Sequence, residues 1–191
     1  MRVGVLGLQG DFQEHLATFR ALGVEAVDVR RPEQLADVDA LVIPGGESTT
    51  IGKLAERYGF IPVLRERARA GMPIWGTCAG AIFIAKDVPG HPHPIASLMD
   101  VSVERNAFGR QVDSFERDLD VSGMEGGPFH AVFIRAPRIA KLGTDVEPLA
   151  SLDDGTVVAA RQGRLLATSF HPELTGDRRF HELFLRLGGG K

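Results

Sequence analysis

Cysteine is nearly absent from this chain: Cys78 is the only one in 191 residues. A lone thiol excludes an intramolecular disulfide and a multi-cysteine zinc site, and leaves either a buried structural thiol or a reactive one. Excess charge of one sign is also missing. A formal net charge of −3 gives no polyanion-binding signal, so nucleic acid is not expected as a partner. The opening MRVGVLGLQGD is a short apolar run broken by glycines and an acid, which fits neither a signal peptide nor a membrane span. The expected location is the cytoplasm, with no membrane partner. Repeats, linkers and low-complexity tracts are lacking too, and the length suits a single domain over residues 1–191.

The first half instead alternates short β-branched runs with longer amphipathic stretches, the pattern of a mostly parallel sheet covered by helices. Strands are expected at about 2–8, in VEAVDVR, in DALVIPGG and in MPIWG. Asp11 is placed to cap a helix carrying Phe12, Leu16, Phe19 and Leu22, stopped by Gly23. STTIGKLAERYG, residues 60–70 and CAGAIFIA read as further helices. In the second half SLMDVSVERN, RQVDSF, FHAVFIR, VEPLASL, GTVVAARQG and RLLATSFH read as short strands, with hairpins and antiparallel additions. DRRFHELFLRL closes the chain as an amphipathic helix.

GTCAG has the G-x-C-x-G spacing of a nucleophile elbow, a sharp strand-to-helix turn in which glycines permit the crowding. At the first turn of a helix the thiol of Cys78 would feel unpaired backbone N–H groups that favour the thiolate. Taken alone, GTCAG leaves a buried, inert Cys78 equally open. A reactive cysteine needs a base, and among the six histidines only His171 has an acid placed to orient it. In SFHPEL the proline biases His171 toward an extended backbone, which puts Glu173 on the same side two residues on. His91 and His93 in GHPHP are two histidines without a third ligand, so no metal is assigned, and that segment reads as an exposed loop. His15 and His181 read as solvated or satisfied structural groups.

Acyl transfer from an amide also requires donors aimed at the developing oxyanion. The loop PGGEST follows a buried strand and precedes a helix, so its backbone N–H groups can form a nest; a plain tight turn is the other reading. The glycines of VGVLGLQG are three apart, which is not the dinucleotide fingerprint, and no cofactor is expected. An esterase is disfavoured by the absence of G-x-S-x-G.

Together PGGEST, GTCAG and SFHPE resemble the triad-type, class I glutamine amidotransferases. GVLGLQGDFQEH, LVIPGGESTTIGKL, WGTCAGAI, ERNAFGRQVDSFE, FIRAP and ATSFHPELTGD narrow this to a resemblance to the glutaminase subunits of pyridoxal 5′-phosphate synthase. The resemblance implies a flavodoxin-like three-layer α/β fold, with a mostly parallel central sheet and antiparallel additions in the C-terminal half. It implies Cys78 as nucleophile, His171 as acid and base, and Glu173 as its support. Gly46, Glu47, Ser48, Arg105, Ile134 and Arg135 correspond to glutamine-binding positions, although Arg105 and Arg135 read alone are ordinary surface charges. Gly46 and Ala79 correspond to oxyanion donors, and Gln9 to a residue near the oxyanion and the partner interface. The implied substrate is L-glutamine and the implied partner a (β/α)8-barrel synthase subunit. Three rivals remain: a glutaminase subunit of another pathway, a cysteine peptidase or redox thiol protein, and a binding module with an inert Cys78.

Overall fold

A computed structural model describes residues 1–105 and 114–189. Most of the RNAFGRQ motif and the start of the RQVDSF strand lie outside the described residues. In chain order the strands are β1 (Arg2–Leu6), β2 (Glu25–Val29), β3 (Ala40–Ile43), β4 (Ile74–Thr77), β5 (Ala85–Asp87) and β6 (Met99–Glu104). They continue with β7 (Ser114–Leu119), β8 (Phe129–Ile134), β9 (Arg138–Leu142), β10 (Glu147–Ser151), β11 (Val157–Gln162) and β12 (Leu165–Thr168). The α-helices are α1 (Phe12–Ala21), α2 (Ser48–Arg57), α3 (Phe60–Arg69), α4 (Ala79–Ile84) and α5 (Arg179–Leu187).

The main sheet runs β2-β1-β3-β4-β12-β11-β9-β6-β5, with β10 on β11, while β7 and β8 form a separate hairpin. Strands β2 through β12 in that order pair in parallel, and β11, β9 and β6 add antiparallel pairings beyond them. This is the expected three-layer α/β fold. Strand alternation supplies the layers. Val3, Val5, Ala40, Val42 and Trp75 face α1, α5 and the hairpin, while Leu6, Leu41, Ile43 and Ile74 face α2, α3 and α4.

Several local expectations need correction. CAGAIFIA is not helical throughout: α4 ends at Ile84, and Ala85 starts the edge strand β5, which pairs with β6. An all-apolar run has no period to mark such a change. RIAKL was not expected as a strand, yet it forms β9, and Pro32–Asp37 forms an unforeseen 3₁₀ turn. Asp11 does stand at the N-cap of α1, but its side chain makes no capping bond.

The topology decides where the site lies. β4 and β12 are neighbours with Thr77 opposite Thr168, so the residues that follow them, Cys78 and His171, emerge side by side. β3 lies on the other side of β4, and β1 beside β3, which brings their following loops to the same carboxyl edge. Open α/β sheets bind ligands at that edge. The face beneath is held by aromatic packing: Phe180 is fully buried and stacks on Trp75 with centroids 6.3 Å apart. Phe180→Ala is expected to cost about 3–5 kcal/mol, read from urea unfolding followed by Trp75 fluorescence.

Candidate active site

The backbone at Cys78 has φ 48° and ψ −106°, a conformation that side chains rarely adopt. Its N–H is bonded to the Thr168 carbonyl at 2.8 Å, so the strained turn is tied to the neighbouring strand. The flanking glycines have a steric reason. A Cβ on Gly80 would overlap the Ile43 carbonyl, and one on Gly76 would lie 2.5 Å from the Gly80 carbonyl carbon. Only glycine lets the elbow close onto β3. Cys78 is 6% exposed, and its thiol lies 3.8 Å from the carbonyl oxygen of Ile134.

His171 is anchored by its own N–H to the Val132 carbonyl at 2.9 Å. Its Nδ1–H donates to Glu173 Oε1 at 2.8 Å, as the His-Pro-Glu spacing anticipated. That leaves Nε2 to exchange a proton with Cys78, with which the ring interacts. Burial works against a charge on His171, but Cys78 and Glu173 outweigh it and raise its pKa to about 10. Burial likewise opposes ionisation of Glu173, and His15 and His171 overcome it, holding the carboxyl well below the usual carboxylate range. The structure therefore brings Cys78, His171 and Glu173 together.

The glycine loop packs on the same centre. A Cβ on Gly45 would overlap the His171 ring, and Gly46, at φ 146°, packs against the Gln9 side chain. Gln9 Oε1 accepts from the Glu47 N–H at 2.8 Å, so this loop donor is already occupied. Glu47 also differs from a free ligand: its carboxylate caps α2, accepting from the N–H groups of Thr49 at 3.1 Å and Thr50 at 2.7 Å. Against a burial cost, those donors lower its pKa. Ser48 is the buried first residue of α2. Ala79 opens α4, where a helix leaves its first N–H groups without internal acceptors.

Arg105 NH2 lies 3.6 Å from Glu47 Oε1, and its NH1 donates to His91 Nδ1 at 3.1 Å. The GHPHP loop thus touches the candidate site through His91, and is not simply exposed. Burial, then the nearby Arg105 charge, lowers the His91 pKa. Ile134 is 40% exposed although its carbonyl faces the thiol, and Arg135 follows it at φ 44°.

Other residues at the centre had been given only structural roles from sequence. Asp11 Oδ2 comes to 3.6 Å from His171 Nδ1, which is where the expected capping carboxylate has gone. Asp11, His171 and Glu173 could each offer one metal-ligand atom within 4.8 Å of one another, but the His171–Glu173 hydrogen bond already accounts for the grouping. His15 and His181 are fully buried and hydrogen-bonded to each other at 3.0 Å, so neither is solvated. Their only sequence signal is a histidine on the apolar face of each helix.

A cysteine elbow beside a His-x-Glu strand end on such a sheet is the arrangement of a triad glutamine amidotransferase. The chain belongs to the SNO glutamine amidotransferase family, whose model matches residues 5–188. It is 61% identical over 190 residues to "Pyridoxal 5′-phosphate synthase subunit PdxT" of Herpetosiphon aurantiacus, covering 98% of this chain and 100% of that one. The protein of the same name in Thermus thermophilus is 55% identical over 189 residues, covering 98% and 97%. A solved glutamine amidotransferase superposes with a TM-score of 0.94 at 54% identity, covering 99% of this chain and 100% of the other. A putative GMP synthase component from Thermoplasma acidophilum, at 19% identity and a TM-score of 0.72 over 99% of this chain and 94% of that one, shares the fold.

The electrostatics make a direct prediction. In an NMR titration His171 stays protonated through neutral pH and titrates near pH 10, and in Cys78→Ala its midpoint falls, because two of the influences favouring the proton are removed. A midpoint near 6.5 in the unsubstituted protein would contradict the assignment.

Proposed function

We propose that the chain hydrolyses L-glutamine to L-glutamate and ammonia, and delivers the ammonia to a synthase subunit for pyridoxal 5′-phosphate biosynthesis. The observation that carries this reading is the hydrogen-bonded His171–Glu173 pair facing a thiol on a strained elbow. Family membership supports the substrate class, and the relatives' shared name supports the pathway.

The chemistry follows from the positions. With the thiol proton already transferred to His171 Nε2, Cys78 Sγ attacks the amide carbon of glutamine. The carbonyl oxygen becomes an oxyanion, stabilised by the N–H groups of Gly46 and Ala79, with Gln9 holding the glycine loop in place. His171 then gives its proton to the departing nitrogen, the C–N bond breaks, and ammonia leaves a thioester on Cys78. Water deprotonated by His171 attacks that thioester, releasing glutamate and returning the thiol. Glu173 keeps the ring in the required tautomer throughout. Arg105 and Arg135 suit the α-carboxylate of glutamine, Glu47 its α-ammonium, and Ser48 and the Ile134 backbone its remaining polar edge.

The partner is a (β/α)8-barrel synthase subunit in a hetero-oligomeric complex, and the reaction takes place in the cytoplasm. Among the described residues no helix is long and apolar enough to cross a membrane. The rim of the site supports an apolar docking face, since Ile134 and Leu174, which flank the thiol and the carboxylate, are 40% and 44% exposed.

Glutamate release from glutamine, with and without a pyridoxal 5′-phosphate synthase subunit, is the test. Release should rise when the subunit is present, and should fall at least about a thousandfold in Cys78→Ala. Release that ignores the subunit would remove the pathway, and no release in either state would remove the glutaminase.

A further inference from the structure

We infer that His15 is a positioning residue for the proposed glutaminase: its Nε2–H holds the second carboxylate oxygen of Glu173, and so fixes the group that orients His171. This inference rests on the reading of Cys78, His171 and Glu173 given above.

The hydrogen bonds available to the buried Glu173 carboxylate can be counted one by one. Glu173 has a side chain with no exposed surface, and only Oε1 is held by His171. Oε2 is buried and lacks a bond of good geometry, and His15 Nε2, equally buried, stands 3.3 Å from it. A carboxylate oxygen can only accept. A bare Nε2 at that distance would set two lone pairs against each other in the core, so Nε2 carries the proton. Thr77 Oγ1, 3.3 Å from the same nitrogen, shares it as a second acceptor.

The remaining groups fit this tautomer. His15 Nδ1 is then an acceptor, and His181 Nε2–H, 3.0 Å away, is its donor. His181 Nδ1 is left buried without a partner. As a bare acceptor it costs less than an orphaned N–H would, which favours neutral His181. Burial agrees by lowering the His181 pKa to about 3. The rings are locked by packing: His15 meets the Trp75 ring edge-on at 5.5 Å, and His181 meets it at 5.1 Å.

Glu173 thus receives donors from two sides, His171 in the catalytic cleft and His15 from the core. Without His15 the buried carboxylate would lose the donor that keeps it ionised and would take up a proton more readily. A protonated Glu173 could not support an imidazolium at His171. Substrate contacts would be untouched, so the loss belongs in kcat and not in KM. The pH profile must be read with the other groups that face this carboxylate: His171, Asp11 beyond it, and His181 behind His15.

The experiment measures glutamine hydrolysis by the complex with the synthase subunit. His15→Phe keeps the ring and removes the donor, whereas His15→Gln places an amide N–H2 near the Nε2 position. His15→Phe should lower kcat about 10–100-fold, leave KM within about twofold, and move the acid limb of the kcat profile to higher pH, while His15→Gln recovers most of the rate. Two phenotypes alike in rate and pH profile would overturn the inference. Should His15→Phe fail to fold, nitrogen NMR of histidine-labelled unsubstituted protein provides a second reading. A protonated Nε2 at His15 supports the assignment and an unprotonated one overturns it. An inactive unsubstituted complex would instead defeat the glutaminase reading, and the NMR result would still decide the role of His15 toward Glu173.

Discussion

The burial of one charged carboxylate organises much of this molecule. Glu173 lies in a part of the core where ionisation is opposed by desolvation, and it stays charged because histidines reach it from both sides. A buried charge with a missing partner is among the more destabilising defects a fold can contain. The placement of α1 and of the His-Pro-Glu turn therefore has to agree: α1 brings His15 from below, and the turn after β12 brings His171 from the cleft. Trp75, at the centre of the sheet, braces His15 and His181 with its ring and donates its own N–H to Thr168 Oγ1 at 3.1 Å.

The sheet order converts this local constraint into a site. Adjacent parallel strands β4 and β12 deliver thiol and imidazole without a long side-chain reach. Glycines then remove what would keep them apart. Gly80 lets α4 touch the Ile43 carbonyl, Gly45 leaves room for the His171 ring, and Gly10, at φ 97°, lets the loop after β1 lie against the Gly45 carbonyl. Larger residues at these positions would separate the loops by more than a hydrogen bond can bridge.

Much of this arrangement was legible in the sequence for identifiable reasons. A solitary cysteine between glycines left the reactive and the inert readings equally open, and the balance was tipped by His171 with Glu173, a two-residue pattern whose geometry follows from an extended backbone. The parallel half announced itself by strand and helix periods. What escaped was either non-local or locally ambiguous. His15 bonds His181 across 166 positions and Thr77 across 62, separations that no window of sequence spans. Asp11 and Glu47 both stand at helix starts, where an acid has the same appearance whether it caps or serves a site. The structure turns the Asp11 carboxylate toward His171, while Glu47 caps its helix at the rim of the same site. β5 was hidden because its first residue continues an unbroken apolar run.

The proposed chemistry turns on a covalent bond between Cys78 Sγ and the amide carbon of glutamine, formed with the help of His171. Its most direct test is trapping with an electrophilic glutamine analogue, a diazoketone in place of the side-chain amide, followed by peptide mass spectrometry of the synthase complex. One equivalent of adduct on the peptide containing Cys78, suppressed by excess glutamine and slowed in His171→Ala, is the predicted result. An unmodified Cys78, or labelling that glutamine does not compete with, would rule out Cys78 as the nucleophile toward glutamine.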